Sequence, residues 1–259
     1  MLPLLLAFAQ SSSAALVLSV DSVAPGGAFT AAIRIKMEPG WHTYWKNPGD
    51  SGSAPTVKWA LPSGWRVSNL RWPLPTRHKT AEGTDYVYEN EVLLLAEITA
   101  PQPGARPTLD SEAPIPVPPT ATLKAKVSWL VCQEACVPAS ADVSAPILVG
   151  RDKPSKDSAQ LAELVQAIPA RVLDGWKVKA TPTGIAIMRT DGEAIQKGTV
   201  FLPAESGLFD HSDPGTLSAD GMTLSVKRSE YAKGNPKRVR GVIVLPNQKG
   251  MEIDLSLSS

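Results

Sequence analysis

The chain contains only two cysteines and three histidines among its 259 residues, which limits the metal chemistry that it can support. A structural zinc site needs about four nitrogen or sulfur ligands, and none of His42, His78 and His211 lies at ligand spacing from another. Lysine and arginine number 26 against 25 acidic residues, so no long-range field attracts nucleic acid or an anionic surface. The composition argues against structural zinc and against nucleic-acid binding.

Long hydrophobic runs are also missing. Beyond the N-terminus the longest uninterrupted apolar run is residues 92–96, far below the roughly 20 residues that cross a bilayer, so we expect no transmembrane segment. The first residues place an apolar run before Ala7-Phe8-Ala9, a small-x-small pattern that is typical of a signal-peptidase site. We therefore predict a signal peptide at residues 1–9 and a soluble, exported protein. A buried first strand is the alternative interpretation of this run.

Turn residues are abundant, with 24 prolines and 19 glycines, and they favour an all-β chain because both residue types disfavour helix interiors. Apolar and polar residues alternate at residues 14–20 and 28–37, the pattern of strands with one buried face. About seven such runs precede residue 150, including 92–99, 122–130 and 141–148, and they predict an immunoglobulin-like β-sandwich. We interpret the Pro-rich residues 101–120 as a long loop within it.

A charged stretch at residues 150–158 predicts a domain boundary and leads into the one convincing helix, residues 157–168. Strand-like runs recur after the helix, at residues 176–180, 185–189, 199–202, 223–226 and 239–245. The predicted organisation is an all-β sandwich at residues 15–150, followed by a smaller β-rich domain at 157–259 with one helix at its start.

Both cysteines lie in the segment SWLVCQEACVPAS, as Cys132 and Cys136. A disulfide between them would close a loop of about five residues and contribute only about 2 kcal/mol by the chain-entropy estimate, so it would be a weak structural staple. Four extended strand steps span about 13 Å, whereas a disulfide needs Cα atoms within about 7 Å. The segment must therefore turn between the two cysteines.

Two further interpretations of the pair remain open beside the staple. In an oxidising compartment the two cysteines form a bridge that a partner thiolate can attack, which makes them a redox pair. Glu134 between them would raise a thiol pKa, so an activating charge must come from elsewhere, and Lys124 and Lys126 are the candidates. Alternatively, two thiolates with His42 suit a soft ion such as Cu(I).

Four separated motifs occur in order around this pair: GWHTYWKNPGDSGSAPTVKW, WPLPTR, YVYENEVLLLAEI and VSWLVCQEACVP. Together, over about residues 15–148, they resemble the N-terminal periplasmic domain of the DsbD family of thiol-disulfide interchange proteins, and look closest to its ScsB branch, a copper-tolerance branch. The later segment FLPAESGLFDHSDP also resembles the stretch that comes after this domain in that branch.

The resemblance implies a periplasmic immunoglobulin-like domain that takes electrons from a membrane-embedded donor and passes them to thioredoxin-like proteins. By position, Cys136 matches the family cysteine that forms mixed disulfides with partners, and Cys132 matches the resolving cysteine. No cofactor beyond this redox-active disulfide is implied. If the chain is an enzyme, it is a thiol-disulfide oxidoreductase of the protein-disulfide reductase type.

The sequence also departs from the family pattern. It has no multi-helix membrane domain and no C-terminal thioredoxin-like domain, so we expect a separately encoded DsbD- or CcdA-like donor. The stretch that matches the family's cap loop, residues 80–85, has no aromatic residue, which leaves Tyr86 and Trp72 as candidate shields.

Two other hypotheses concern binding and hydrolysis. A non-catalytic immunoglobulin-like binding module, with a structural bridge that shapes a loop, is the alternative to the redox function. A hydrolase triad of Asp210, His211 and Ser212 is rejected, because contiguous residues cannot point at one another as nucleophile, base and orienter must.

Overall fold

The computed structural model describes residues 11–81, 83–102, 119–172, 174–233 and 236–258. They form two compact units. The first contains residues up to Thr43, Pro55–Leu70 and Tyr88–Ala162; the second contains Tyr44–Ala54, Arg71–Val87 and the residues from Glu163 onward. The predicted signal peptide and most of the Pro-rich loop lie outside the described residues. The sequence divides the chain by position, into residues 15–150 and 157–259, whereas the two compact units are defined by contacts. The predicted division stays a prediction.

Strands account for nearly all of the regular structure, because alternating apolar residues and frequent turns dominate the sequence. In chain order the elements are β1 (Ser12–Leu18), β2 (Val20–Val23), β3 (Ala28–Met37), β4 (His42–Gly49), β5 (Thr56–Ala60), β6 (Arg66–Val67), β7 (Thr76–Lys79), β8 (Thr84–Glu89), β9 (Glu91–Thr99), β10 (Thr120–Cys132), β11 (Cys136–Val149), β12 (Lys153–Pro154), α1 (Ser158–Ala167), β13 (Ala170–Arg171), β14 (Trp176–Thr181), β15 (Gly184–Arg189), β16 (Val200–Pro203), β17 (Thr216–Leu217), β18 (Thr223–Lys227), β19 (Arg238–Val244) and β20 (Gly250–Ser258). The prediction of an all-β chain is confirmed.

The first unit is an immunoglobulin-like sandwich of two sheets, as the sequence predicts. One sheet has the strand order β1-β3-β9-β6. The other contains β12, β2, β11 and β10, and β5 and the first residue of β4 also pair with β10. Alternate side chains of these strands face inward, so that Ile33, Leu94 and Val127 are fully buried. This alternation is the feature from which the strands were predicted.

A buried hydrogen bond links the two sheets of the first unit. Trp129 on β10 is 4% exposed, and its Nε1 donates to Oγ of Ser12 on β1 at 3.0 Å. An indole N–H needs a partner when it is buried, and here the opposite sheet supplies it. Among the other tryptophans of residues 41–72, Trp45 and Trp65 are buried, whereas Trp41, Trp59 and Trp72 are half-buried.

The second unit contains a sheet with the strand order β16-β19-β20-β14-β15-β18-β17, in which β13 also pairs with β20. Its apolar core includes the fully buried Ile187, Ile243 and Ile253 and the rings of Phe201 and Phe209. The strand β20 is not among the runs predicted from the sequence, although apolar residues alternate along it. A period-two scan of the C-terminal residues would have found this strand.

The predicted helix at residues 157–168 is confirmed as α1, with its first and last residues shifted by one. Of its apolar residues, Leu161 is fully buried, whereas Leu164 and Val165 are partly exposed. Within the described ranges, no helix is long and apolar enough to span a membrane.

Buried polar contacts attach residues 44–54 to the rest of the second unit. The side chain of Asn47 is 1% exposed, and its Nδ2 donates to the backbone oxygen of Pro203 at 2.9 Å and to that of Glu205 at 3.3 Å. Nearby, Nδ1 of His211 lies 2.8 Å from Oδ1 of Asp50. A polar group buried without a partner costs free energy, so these hydrogen bonds stabilise the packing of residues 44–54.

We predict that Asn47→Ala destabilises the protein, because it leaves the buried oxygen of Pro203 without its donor. The expected loss is about 1–3 kcal/mol in the free energy of unfolding, measured by urea denaturation. Asn69→Ala is the matched control, since Asn69 is exposed, and its expected effect is within about 0.5 kcal/mol. Equal denaturation midpoints for the two variants would contradict this role of Asn47.

Candidate functional site

Cys132 and Cys136 lie at the tip of a long β-hairpin. β10 and β11 pair in antiparallel register from Thr120↔Leu148 to Cys132↔Cys136, and Gln133, Glu134 and Ala135 form the connecting turn. The two cysteines are the last cross-strand pair, with a Cα–Cα distance of 4.1 Å, and they form a disulfide. The prediction that the segment turns between the cysteines is confirmed.

The two sulfur-bearing residues differ in exposure. Cys132 is 2% exposed, whereas Cys136 is an exposed residue. The difference arises because Cys132 has strand neighbours on both sides, β11 and the start of β4, while Cys136 begins β11 at the tip. Solvent, or a second molecule, therefore reaches the Cys136 side of the bridge more easily.

His42, the first residue of β4, pairs directly with Cys132. The next residue, Thr43, is fully buried, and its Oγ1 donates to the backbone oxygen of Leu130 at 2.8 Å. The hydroxyl thus fixes the start of β4 beside the end of β10. The sequence predicts His42 as a half-buried strand residue or a copper ligand. Its pairing with Cys132 joins residues that are 90 positions apart in the chain, which no local pattern encodes.

A tight turn directs the chain into β4. Gly40 has a φ of 83°, which favours glycine, and the N–H of Trp41 donates to the backbone oxygen of Glu38 at 3.0 Å. Proline at position 39 and glycine at position 40 fit the two central positions of a type II turn. A Cβ at Gly40 would lie 2.9 Å from Nε2 of Gln133, so this turn lies against the hairpin tip.

The charged groups near the disulfide differ from those expected. Glu134 lies in the turn, as predicted, and it is exposed. Lys124 and Lys126 lie eight and six residues before Cys132 on the same strand, and six strand steps span about 20 Å. Solvent screens exposed charges over about 10 Å, so the expectation that these lysines activate the thiols is wrong.

Val137 is an apolar side chain that sequence reasoning did not single out. It follows Cys136 on β11 and is 45% exposed, although an inward-facing position on a paired strand is normally covered. Its partner across the hairpin, Val131, is fully buried. The apolar alternation of β11 would have drawn attention to it, but alternation alone does not show that the side chain is exposed.

Tyr86 and Trp72, the candidate shields, both belong to the second unit. Tyr86 is 1% exposed, its ring lies edge-on to Trp45 and His211, and burial raises the pKa of its hydroxyl. It is a packing residue of that unit. Trp72 is half-buried, and shielding of the cysteines by the segment at residues 80–85 stays a prediction.

Asp210, His211 and Ser212 do not form a catalytic relay. Oγ of Ser212 donates to Oδ1 of Asp210 at 2.6 Å, and this hydrogen bond lowers the pKa of the carboxyl. The ring of His211 is buried and pairs with Asp50 instead. The rejection of a hydrolase triad therefore agrees with the geometry.

The copper alternative depends on Cys132, Cys136 and His42. In the part of the chain that the structure describes, no group of three or more His, Cys, Asp and Glu residues is arranged to hold a metal ion. The cysteines are joined as a disulfide, and in that form neither sulfur is the thiolate that a soft ion prefers. Copper binding stays a prediction for the reduced chain.

A solved structure with the same fold is the N-terminal periplasmic domain of ScsB from Proteus mirabilis. It aligns with a TM-score of 0.65 and 17% sequence identity, over 96% of this chain and 95% of that one. The periplasmic chaperone SfaE also aligns, over 94% of this chain and 100% of that one, but its 6% identity and TM-score of 0.23 carry no argument. No curated protein sequence matches the chain.

The family described as "Thiol:disulfide interchange protein DsbD, N-terminal" matches residues 14–147, just over half of the chain. The matched segment contains all of β10, β11 as far as Ile147, and both cysteines. This chain therefore belongs to the family of DsbD N-terminal domains.

Proposed function

We propose that the chain is an exported thiol-disulfide interchange module that relays electrons through Cys132 and Cys136. The observation that carries the proposal is the disulfide at the hairpin tip, with one exposed and one buried cysteine. Membership of the DsbD family supports the same chemistry. In this function the chain is a thiol-disulfide oxidoreductase whose only redox group is its own disulfide.

The exchange reaction uses the two sulfurs unequally. A donor thiolate attacks Sγ of Cys136, the S–S bond breaks, and its electron pair leaves on Sγ of Cys132. A second donor thiolate then attacks the donor sulfur in the mixed disulfide and releases Cys136. The donor dithiol is oxidised to a disulfide and the chain gains two electrons. Delivery to an acceptor disulfide runs these steps in reverse, with Cys136 attacking and Cys132 resolving.

The short loop favours exchange over a structural role. The disulfide closes a sequence separation of only 4 residues, and the cross-strand register already holds the two cysteines together without it. The bridge therefore removes little conformational entropy from the unfolded chain, and its contribution to stability is on the order of 2 kcal/mol. A bridge on which stability scarcely depends can open and close without unfolding the domain.

The expected partners derive from the family and from the exposed tip. We expect a membrane-embedded donor of the DsbD or CcdA type and thioredoxin-like acceptors in the periplasm. The exposed Val137 beside Cys136 offers an apolar contact for such partners. The ScsB domain with the same fold is a periplasmic domain, which supports the same location for this chain.

The mixed disulfide with a partner separates the roles of the two cysteines. Cys132→Ala leaves Cys136 without its resolving thiol, so mixing this variant with an oxidised thioredoxin-like protein should accumulate a covalent complex. Cys136→Ala should trap little or nothing, because the remaining thiol is buried. Acid quenching followed by non-reducing electrophoresis measures both reactions. Trapping by neither variant, or equal trapping by both, would count against the proposed roles.

A double variant separates this function from a binding module with a structural bridge. Cys132→Ser with Cys136→Ser should fold, since the loop contributes little, but should lose all electron transfer. A binding module would keep its partner affinity unchanged in the double variant. A calorimetric titration with the reduced thioredoxin-like protein, alongside the transfer assay, distinguishes the two functions.

The reduction potential of the disulfide separates a redox-active bridge from a structural one. Because the bridge closes a short loop and contributes little stability, we expect a midpoint above about −300 mV, whereas structural disulfides in secreted proteins lie below this value. Equilibration of the purified protein in dithiothreitol buffers, with alkylation of the free thiols and mass spectrometry, gives the midpoint. A midpoint well below −300 mV would make the disulfide structural.

A further inference from the structure

The single pairing between β4 and β10 places His42 beside the buried cysteine. Directly opposed residues of antiparallel strands project from the same face, with Cβ atoms about 4.5–5.5 Å apart. His42 and Cys132 form such a pair. An imidazole is long enough to reach a cysteine sulfur across this distance.

The position of His42 is fixed by the chain on both sides. On one side the turn at residues 38–41 closes through the N–H of Trp41 and lies against Gln133. On the other side the buried hydroxyl of Thr43 donates to the oxygen of Leu130, two residues before Cys132. The backbone of His42 therefore has little freedom to move away from the cysteine.

Cys132 needs a proton source and a proton acceptor during exchange. When the S–S bond breaks, its sulfur leaves with a negative charge, and burial disfavours that charge because water cannot solvate it. When Cys132 resolves a mixed disulfide, its thiol must first lose a proton, since the thiolate is the nucleophile. Histidine is the side chain that exchanges protons near neutral pH.

We propose that His42 is the acid–base residue for Cys132, a role that rests on the proposed function. As the donor thiolate bonds to Cys136, the cationic imidazole of His42 gives its proton to the departing Sγ of Cys132, and both become neutral. In the reverse direction the neutral imidazole takes the proton from Cys132. The resulting thiolate attacks Sγ of Cys136, and the acceptor leaves as a thiolate.

The charged groups on the two turns next to His42 are carboxylates, and Lys46 lies four residues further along β4. Glu38 lies in the turn before β4, and Glu134 lies in the hairpin turn; both are exposed. Among the described residues of β10, the nearest cations are Lys124 and Lys126, about 20 Å or more away. A variant that lacks the imidazole therefore shows whether a change in rate between pH 5 and 8 comes from His42.

The test compares His42→Gln with His78→Gln, since Gln keeps a polar side chain but cannot exchange protons near neutral pH. Both histidines are half-buried on strands. The rate constant for reduction by dithiothreitol, corrected for the thiolate fraction of dithiothreitol, is measured from pH 5 to 8.

We expect an inflection in the pH profile of the wild type and of His78→Gln. In His42→Gln we expect no inflection and a rate roughly 100-fold lower, as for loss of a general acid. An unchanged inflection in His42→Gln overturns the proposal.

A second measurement needs no variant. The imidazole titrations of the wild-type protein are followed by NMR in its disulfide and dithiol forms. The titration midpoint of His42 should move on reduction, and a midpoint of His42 that is the same in both forms contradicts the proposal. If partner trapping by Cys132→Ala fails, the proposed function fails and this role with it. Successful trapping with an unchanged pH profile overturns the role of His42 alone.

Discussion

The antiparallel register of β10 and β11 is the constraint on which the site depends. It brings Cys132 and Cys136 directly opposite each other as the last pair of the hairpin, so the disulfide forms between residues that the sheet already holds together. A slip of one strand by one residue would move its side chains to the other face of the sheet, so the two cysteines would no longer be opposed. The register is secured by the buried alternate residues of β10, among them Leu123 and Val127, which tolerate no such shift.

The same geometry makes the two ends of the disulfide chemically different. The start of β4 covers Cys132, whereas Cys136 stays open at the tip. Thiol-disulfide exchange depends on which sulfur an incoming thiolate reaches and on how well the other one leaves. In the proposed exchange the partner attacks the exposed Cys136. Proton transfer takes place at the buried Cys132, which is paired with His42.

Much of the fold was accessible from the sequence, because alternation is a local property. The strands at residues 28–37 and 92–99 and the helix at 157–168 agree with the structure to within one residue. Contacts between distant residues were not accessible. The candidate role of Lys124 and Lys126 failed because at least six residues of strand β10 separate them from Cys132. The pairing of His42 with Cys132 and that of His211 with Asp50 each join residues that no short motif links.

The most direct test identifies which sulfur a partner attacks in the unaltered protein. The oxidised wild-type chain is mixed with a reduced thioredoxin-like protein, quenched with acid within the first turnover, digested and analysed by mass spectrometry. We predict that the partner cysteine is joined to the peptide that carries Cys136. Linkage to Cys132, or the absence of any mixed disulfide while the bridge stays intact, would contradict the proposed exchange.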